Sequence, residues 1–224
     1  MTLTAKQLSK EFPRKSRTSN CFTALCPLDF TLEPGKLTVL TGRSGSGKST
    51  LLNVLAGLMQ PTQGQVLADG QDLYAMPDVA LSEFRNRHIG VVPQGQTAVY
   101  SLSLLENILL PVTLFRRPSD AEQQRAQLLL TELGIVKLAD VPPAELSGGE
   151  MKRMAIARAL LPQPEIVLAD EPTADLDEEN TDIVFRALQT AAKNGAAVLA
   201  VTHEQGAERY ADRVCTMHNG ILEG

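Results

Sequence analysis

Gly42-Arg43-Ser44-Gly45-Ser46-Gly47-Lys48-Ser49-Thr50 follows the strand-like run Leu37-Thr38-Val39-Leu40 and leads directly into the helix-like Leu51-Leu52-Asn53-Val54-Leu55. A glycine-rich turn between a strand and a helix, closing on Lys-Ser, is a phosphate-binding P-loop in the context it needs. The glycines let the backbone curl with its N–H groups pointing inward, and the helix adds the positive end of its dipole at the same point. Lys48 reaches the β- and γ-phosphates as a mobile point charge, and the Ser49 hydroxyl is placed to ligate magnesium. A plain turn would have no need of Lys48-Ser49 after Gly47. The stretch predicts an α/β fold organised around a polyphosphate.

The rest of the composition narrows the class. The chain has 224 residues and 43% apolar content, enough for one compact domain with a sizeable core. A formal charge of -5, with no basic stretch interleaved with aromatics, argues against a nucleic-acid partner. Arg14, Lys15 and Arg17 read as a solvated loop. Cys21, Cys26 and Cys215 lack the spacing of a zinc or redox motif, so they are expected to be reduced cytosolic thiols with no metal cage. Met1 to Lys10 is too mixed for a secretory leader. Leu102 to Leu114, the longest apolar region, is interrupted by Glu106, Asn107 and Pro111 and falls short of the ~20 residues a spanning helix needs. The expectation is a cytosolic chain whose membrane role comes through a partner.

Along the chain, Phe22-Thr23-Ala24-Leu25 and Leu28-Asp29-Phe30-Thr31-Leu32 predict short antiparallel strands in a small N-terminal β layer. The P-loop helix should stop near Gly57, because Pro61-Thr62-Gln63-Gly64 is turn-like, and Gln65 to Ala68 should return to a sheet. A helix from Leu81 to Arg87 and a buried strand from Ile89 to Val92 follow. From about 97 to 161 helical periodicity dominates, as in Ala121 to Leu133 with Ala126, Leu129, Leu130 and Leu133 on one face. This predicts a helical insertion into an α/β core. Its Leu102, Leu104, Leu105, Ile108 and Leu109 are expected to line a surface groove for a partner's helix. The core resumes with a strand at Ile166 to Ala169, a helix at Asn180 to Ala192, and strands at Ala196 to Val201 and Val214 to Met217.

The strand Ile166 to Ala169 delivers Asp170 and Glu171 at its carboxyl end, where open α/β sheets place their ligands. Two adjacent acids can divide labour there: Asp170 holds hydrated magnesium, and Glu171 orients and polarises the water that attacks the γ-phosphorus. His203 follows the buried run Val198 to Thr202, and so reaches the same edge and the γ-phosphate. Gln94 ends another buried strand, in reach of the magnesium or the attacking water. Leu146-Ser147-Gly148-Gly149-Glu150 opens a helix that runs to about Leu161. Ser147 and Glu150 have the spacing of a capping box, which needs no ligand. Two glycines in the first turn, however, weaken a helix by roughly 1 kcal/mol each relative to alanine, a cost a mere cap does not require. Bare N–H groups at that helix start make a second anion site.

Together these motifs resemble the ATP-binding-cassette (ABC) ATPases over essentially the whole chain. Gly42 to Thr50 is similar to Walker A, Gln94 to the Q-loop glutamine, Leu146 to Glu150 to the signature, Ile166 to Glu171 to Walker B, Ala174 to Asp177 to the D-loop, and His203 to the switch histidine. The resemblance implies a P-loop NTPase (RecA-like) core with an N-terminal antiparallel β subdomain and an inserted helical subdomain. The expected division is about 1–96 and 162–224 for the β subdomain plus core, and about 97–161 for the helical part. It further implies ATP and Mg2+ as cofactors, with catalytic Glu171, His203, Gln94 and Lys48. Nucleotide would be held by Phe12, stacking on adenine, by Gly42, Arg43, Ser44, Gly45, Ser46, Gly47, Lys48, Ser49 and Thr50, and by Ser147, Gly148, Gly149 and Asp177. Metal would be held by Ser49, Gln94 and Asp170. Two chains, identical or paired as a pseudo-dimer, would close head to tail around two ATP. An integral membrane subunit would dock the pair at the inner face of the cell membrane.

Glu150, Ala169-Asp170-Glu171-Pro172-Thr173 and Glu106-Asn107-Ile108-Leu109-Leu110-Pro111 are similar to the lipoprotein-release, macrolide-export and cell-division group of that family. Pro93, Met151-Lys152 and Ala174-Asp175 depart from its usual pattern. ATPases that structure chromosomes share the nucleotide motifs, but they carry long coiled coils, and Lys48 to Ser147 holds no sustained heptads.

Overall fold

A computed structural model describes residues 1–13, 21–95, 97–204 and 206–224. The basic residues Arg14, Lys15 and Arg17 lie outside the described residues. The described strands fall into two sheets. The first is antiparallel, in the order β2-β1-β4-β5: β1 (Leu3–Pro13), β2 (Cys21–Leu32), β4 (Gln63–Ala68) and β5 (Gln71–Asp72). The second runs β10-β9-β3-β8-β7-β6, with β3 (Leu37–Thr41), β6 (Ile89–Val92), β7 (Ile166–Asp170), β8 (Ala197–Thr202) and β9 (Arg213–His218) parallel, and β10 (Ile221–Glu223) antiparallel at the edge.

Every residue of β7 and β8 is buried, as a parallel sheet covered on both faces requires. Side chains alternate between the two faces. Val39, Val167, Ala169, Val198 and Ala200 join one core with α3 (Leu104–Thr113), α4 (Asp120–Glu132), α5 (Gly148–Leu160) and α6 (Glu178–Lys193). Leu40, Ile166, Leu168, Leu199 and Val201 join the other, which holds α1 (Lys48–Leu55), α2 (Asp78–His88) and the antiparallel sheet.

Several expectations needed correction. The two short strands expected at Phe22 to Leu25 and Leu28 to Leu32 are one long strand, β2, paired with the equally long β1, because bulges absorb the break between them. Their register shifts between Ala5 and Leu8 and again up to Glu11, and Gln7 takes a left-handed φ of 47°. That strained residue is tied down by Asp29, which accepts from its backbone N at 2.7 Å and its Nε2 at 2.9 Å. Pro27 is tolerated inside β2 because β2 is an edge strand. α2 begins three residues earlier than the apolar pattern implied, with Asp78 in its first turn.

The groove expected from Leu102, Leu104, Leu105, Ile108 and Leu109 does not exist in that form. Leu104 and Ile108 are fully buried, and Leu105 and Leu109 pack against them, because this face of α3 is needed to cover α5. Asn107 is buried too. It folds back on the preceding loop, with Nδ2 donating to the carbonyls of Val99, Leu102 and Ser103 and Oδ1 accepting from Val99 N. The exposed large apolar side chains flanking α3 are instead Val99, Tyr100, Leu114 and Phe115.

Candidate functional site

Parallel register brings four strand ends to one edge. Thr41 pairs with Thr202, Asp170 with Val201 and Val92 with Ala169. The residues just beyond them, the P-loop, Glu171, His203 and Gln94, therefore emerge side by side, at the carboxyl edge where such sheets bind ligands.

At the P-loop, Gly47 sits before α1 with φ 110°. A Cβ there would fall 2.5 Å from Ala24 O, so both conformation and space demand glycine. Lys48 is buried, and its Nζ donates to the carbonyls of Gly42 at 2.7 Å and Arg43 at 3.2 Å. The ammonium thus rests on the carbonyls of its own loop. Ser44 to Thr50 line a cavity of ≈ 430 Å³ together with Phe22, Ala24, Gln94, Glu171 and His203.

Asp170 closes β7 almost fully buried, and among the described residues its Oδ1 has no hydrogen-bond partner. Burial pushes its carboxyl above the usual range. The hydrogen bond with Ser49 opposes this, the neighbouring Glu171 charge reinforces it, and the Lys48 charge opposes it.

Glu171 adopts a left-handed backbone (φ 48°), pinned by its N–H donating to Val201 O at 2.9 Å. Its Oε2 accepts from Thr202 Oγ1 at 3.0 Å and from His203 N at 3.4 Å, while Oε1 lies 2.7 Å from His203 Nδ1. The carboxylate is therefore aimed by β8. Thr173, fully buried, donates to Glu204 Oε2 at 2.5 Å, and Glu204 N donates to Thr202 Oγ1 at 3.1 Å. This ring of hydrogen bonds ties the segment after β7 to the segment after β8.

The helix start at Ser147 has its capping box: Ser147 Oγ accepts from Glu150 N at 3.3 Å, and Glu150 Oε2 accepts from Ser147 N at 2.7 Å. Those bonds from Ser147 hold the Glu150 carboxyl below its ordinary range. Gly148 and Gly149 face a second cavity of ≈ 540 Å³, shared with Gln94, Gly95, Lys152, Glu171, Ala174, Asp175 and His203.

Three expected residues stand apart. Phe12 lines neither cavity; it pairs across the ladder with Phe22, which does line the P-loop cavity. Ser147 is exposed beside its cavity and occupied by its cap. Asp177 caps α6, its carboxylate accepting from Asn180 N at 2.8 Å and from Asn180 Nδ2. Phe22, Thr202, Thr173 and Lys152 are site residues the sequence does not single out; the hairpin register reveals Phe22, burial reveals the two threonines, and the bond to the Ala174 carbonyl reveals Lys152. Among the described residues, no cluster of three His, Cys, Asp or Glu side chains could hold a metal by itself. No described helix is long and apolar enough to cross a membrane.

The family model described as "ABC transporter" matches residues 25–174. The lipoprotein-releasing system ATP-binding protein LolD of Chromohalobacter salexigens is 40% identical over 201 residues, covering 89% of this chain and 85% of that protein. The macrolide export ATP-binding/permease protein MacB of Rhodopseudomonas palustris is 36% identical over 221 residues, covering 99% of this chain, which spans 33% of MacB. In fold, the chain matches a dimeric structure of the bacterial ABC transporter cassette MJ0796 with a TM-score of 0.90 at 32% identity, covering 99% and 97% of the two chains. It also matches the dimeric post-hydrolysis state of that cassette bound to ADP and Pi, with a TM-score of 0.89, 31% identity and the same coverage. Sequence and fold agree along nearly the whole chain, and it belongs to the ABC transporter ATPases.

Proposed function

We propose that this chain is the ATP-hydrolysing subunit of a membrane transport complex, working in head-to-tail pairs around two nucleotides. One observation carries the pairing: the helix start at Ser147 to Gly149 does not line the P-loop cavity of its own chain, which is left open to solvent around Gly45. A second copy can supply it. The dimeric solved relatives support that reading.

In the composite site, the backbone N–H groups of Gly42 to Thr50 and the Lys48 ammonium hold the phosphates, and Ser147, Gly148 and Gly149 of the other copy contact the γ-phosphate. Glu171 accepts a proton from the attacking water, His203 steadies the γ-phosphate, and Gln94, which lines both cavities, follows the nucleotide's state. Phe12 and Phe22, opposed on one hairpin face, offer apolar surface to the base. Asp177 acts by holding the start of α6 beside this junction. The residues fit Mg2+: a buried carboxylate oxygen without a partner stands beside the Ser49 hydroxyl, and Gln94 is close. Bound there, magnesium neutralises phosphate charge. The chain is read as one domain, with a core and β subdomain at about 1–96 and 162–224 and a helical subdomain at about 97–161.

The partner is an integral membrane subunit, as the names of the LolD and MacB relatives suggest, and it places the pair on the inner face of the membrane. Its work is export, lipoprotein release or the transmission of mechanical movement. The docking face that suits it lies between α2 and the helical part. There a cleft of ≈ 380 Å³ is lined by Glu83, Asn86, Arg87, Pro111, Val112, Phe115 and Arg116, beside exposed Leu114. An amphipathic cytoplasmic helix would set its apolar side on Phe115 and its polar side on the charged wall. Co-sedimentation with membranes of the source cells tests this. Phe115→Asp should release the chain to the supernatant while ATP binding persists. A variant still bound to membranes places the docking face elsewhere, and a parent chain that never sediments removes the membrane partner.

A further inference from the structure

The helix α5 is fastened to the loop after Glu171 inside one chain. Lys152 Nζ donates to the carbonyl of Ala174. At the next residue the nearly buried Arg153 donates to Asn180 Oδ1, and Asn180 donates in turn to the Asp177 carboxylate. Between these two fastenings, Gly149 lies so close to Leu176 that an added Cβ would come 3.0 Å from Leu176 Cδ2. The loop has little regular structure of its own to hold its shape. Glu171 and Asp175 both take left-handed φ, 48° and 65°, and the backbone bond between Ala174 N and Glu171 O is stretched to 3.4 Å. Such conformations persist only where neighbours over-determine them, and Lys152 is such a neighbour. It also lines the cavity shared by Gly148, Gly149, Glu171 and His203.

We propose that Lys152 is a positioning residue that makes the start of α5 and the Glu171 to Asp177 loop move as one body. When Ser147 and Gly149 close on the nucleotide of a second copy, the displacement reaches the Glu171 of the chain that supplied them. The ammonium suits this task, because a point charge on a flexible stem keeps its grip on a carbonyl through small shifts. This rests on the composite-site reading above.

The test follows phosphate release against ATP concentration for the parent chain, Lys152→Met and Lys152→Arg. Gel filtration with ATP follows dimer formation by Glu171→Gln with and without Lys152→Met. Lys152→Met should lower kcat about tenfold to a hundredfold, as misplacing a catalytic group by roughly 1 Å does. Half-saturating ATP should move less than about twofold, since nucleotide binding itself is untouched. The Hill coefficient should fall from near 2, about the ceiling for two sites, to near 1, and Lys152→Arg should restore both quantities. The Glu171→Gln dimer should still form. An unchanged Hill coefficient in Lys152→Met, a parent value already near 1, or a loss that arginine does not rescue overturns the proposal. If Glu171→Gln with native Lys152 stays monomeric in ATP, the composite-site reading has failed and takes the proposal with it, a result visible without touching position 152.

Discussion

Glu171→Gln separates chemistry from structure more cleanly than any other single change in this chain. Glutamine keeps the shape of the side chain, and its carbonyl oxygen can still accept from Thr202 Oγ1, now at 3.0 Å from Oε2, while its amide faces His203 Nδ1 in place of Oε1. The carboxylate's basicity is lost, and with it general-base assistance of about 10²- to 10⁴-fold in rate, or roughly 2.7–5.4 kcal/mol of barrier at 1.36 kcal/mol per decade. The effect on stability is far smaller. The His203 side chain is 56% exposed, and a contact so wetted contributes only about 0–1 kcal/mol. The left-handed backbone at position 171 is common to both side chains and cancels. Phosphate release should therefore collapse while the melting temperature moves by no more than a few degrees. ATP with magnesium should accumulate a dimer on gel filtration, since closure is then no longer followed by hydrolysis. A variant that hydrolyses ATP at the parent rate, or that remains wholly monomeric with ATP and magnesium, refutes the role assigned to Glu171.

Two further outcomes bear on the same site. Phe12→Ala and Phe22→Ala should each weaken nucleotide binding by ~1–3 kcal/mol if both rings face the base, read by titration with a fluorescent ATP analogue; a change in melting temperature with affinity intact would make either ring a packing residue. Asp170 is held above the usual carboxylate range by burial, so the unfolded chain gives up its proton first, and the stability of the nucleotide-free protein should fall as pH rises from the unfolded value toward the folded one. Asp170→Asn should flatten that slope in denaturant titrations and abolish stabilisation by magnesium with ATP; a slope that persists in the variant assigns the pH dependence to another group.

The placement of the motif residues was legible wherever it depends on adjacent residues. Lys48 and Ser49 after Gly47, or Asp170 and Glu171 after an apolar strand, declare themselves within a few positions, and the strand and helix periods around them place them on one edge. What stayed hidden depends on pairing. Phe22 enters the cavity only because the β1–β2 register sets it opposite Phe12, and that register passes through bulges at Ala5 to Glu11 that no local pattern announces. The apolar face of α3 read as a partner site because its true partner, α5, lies about forty residues away in sequence. Thr173 read only as part of a family-like stretch and Thr202 only as the end of a buried run, and it is their burial beside Glu171 and Glu204 that gives them a task.

The order of strands in the parallel sheet also dictates when this protein can begin to work during its synthesis. β3, which launches the P-loop, is hydrogen-bonded on one side to β8 and on the other to β9, with Leu37 opposite Val198 and Val39 opposite Val214. Both neighbours are synthesised long after β3. At about 5–20 residues per second, the apolar strand Leu37 to Thr41 waits on the order of ten seconds or more without either flank. For that interval the nascent chain owns a complete phosphate-binding motif that has no sheet to hold it open, so nucleotide cannot rescue an early fold and protection must come from elsewhere. A nascent chain stalled before Ala197 should retain the whole P-loop yet fail to bind ATP.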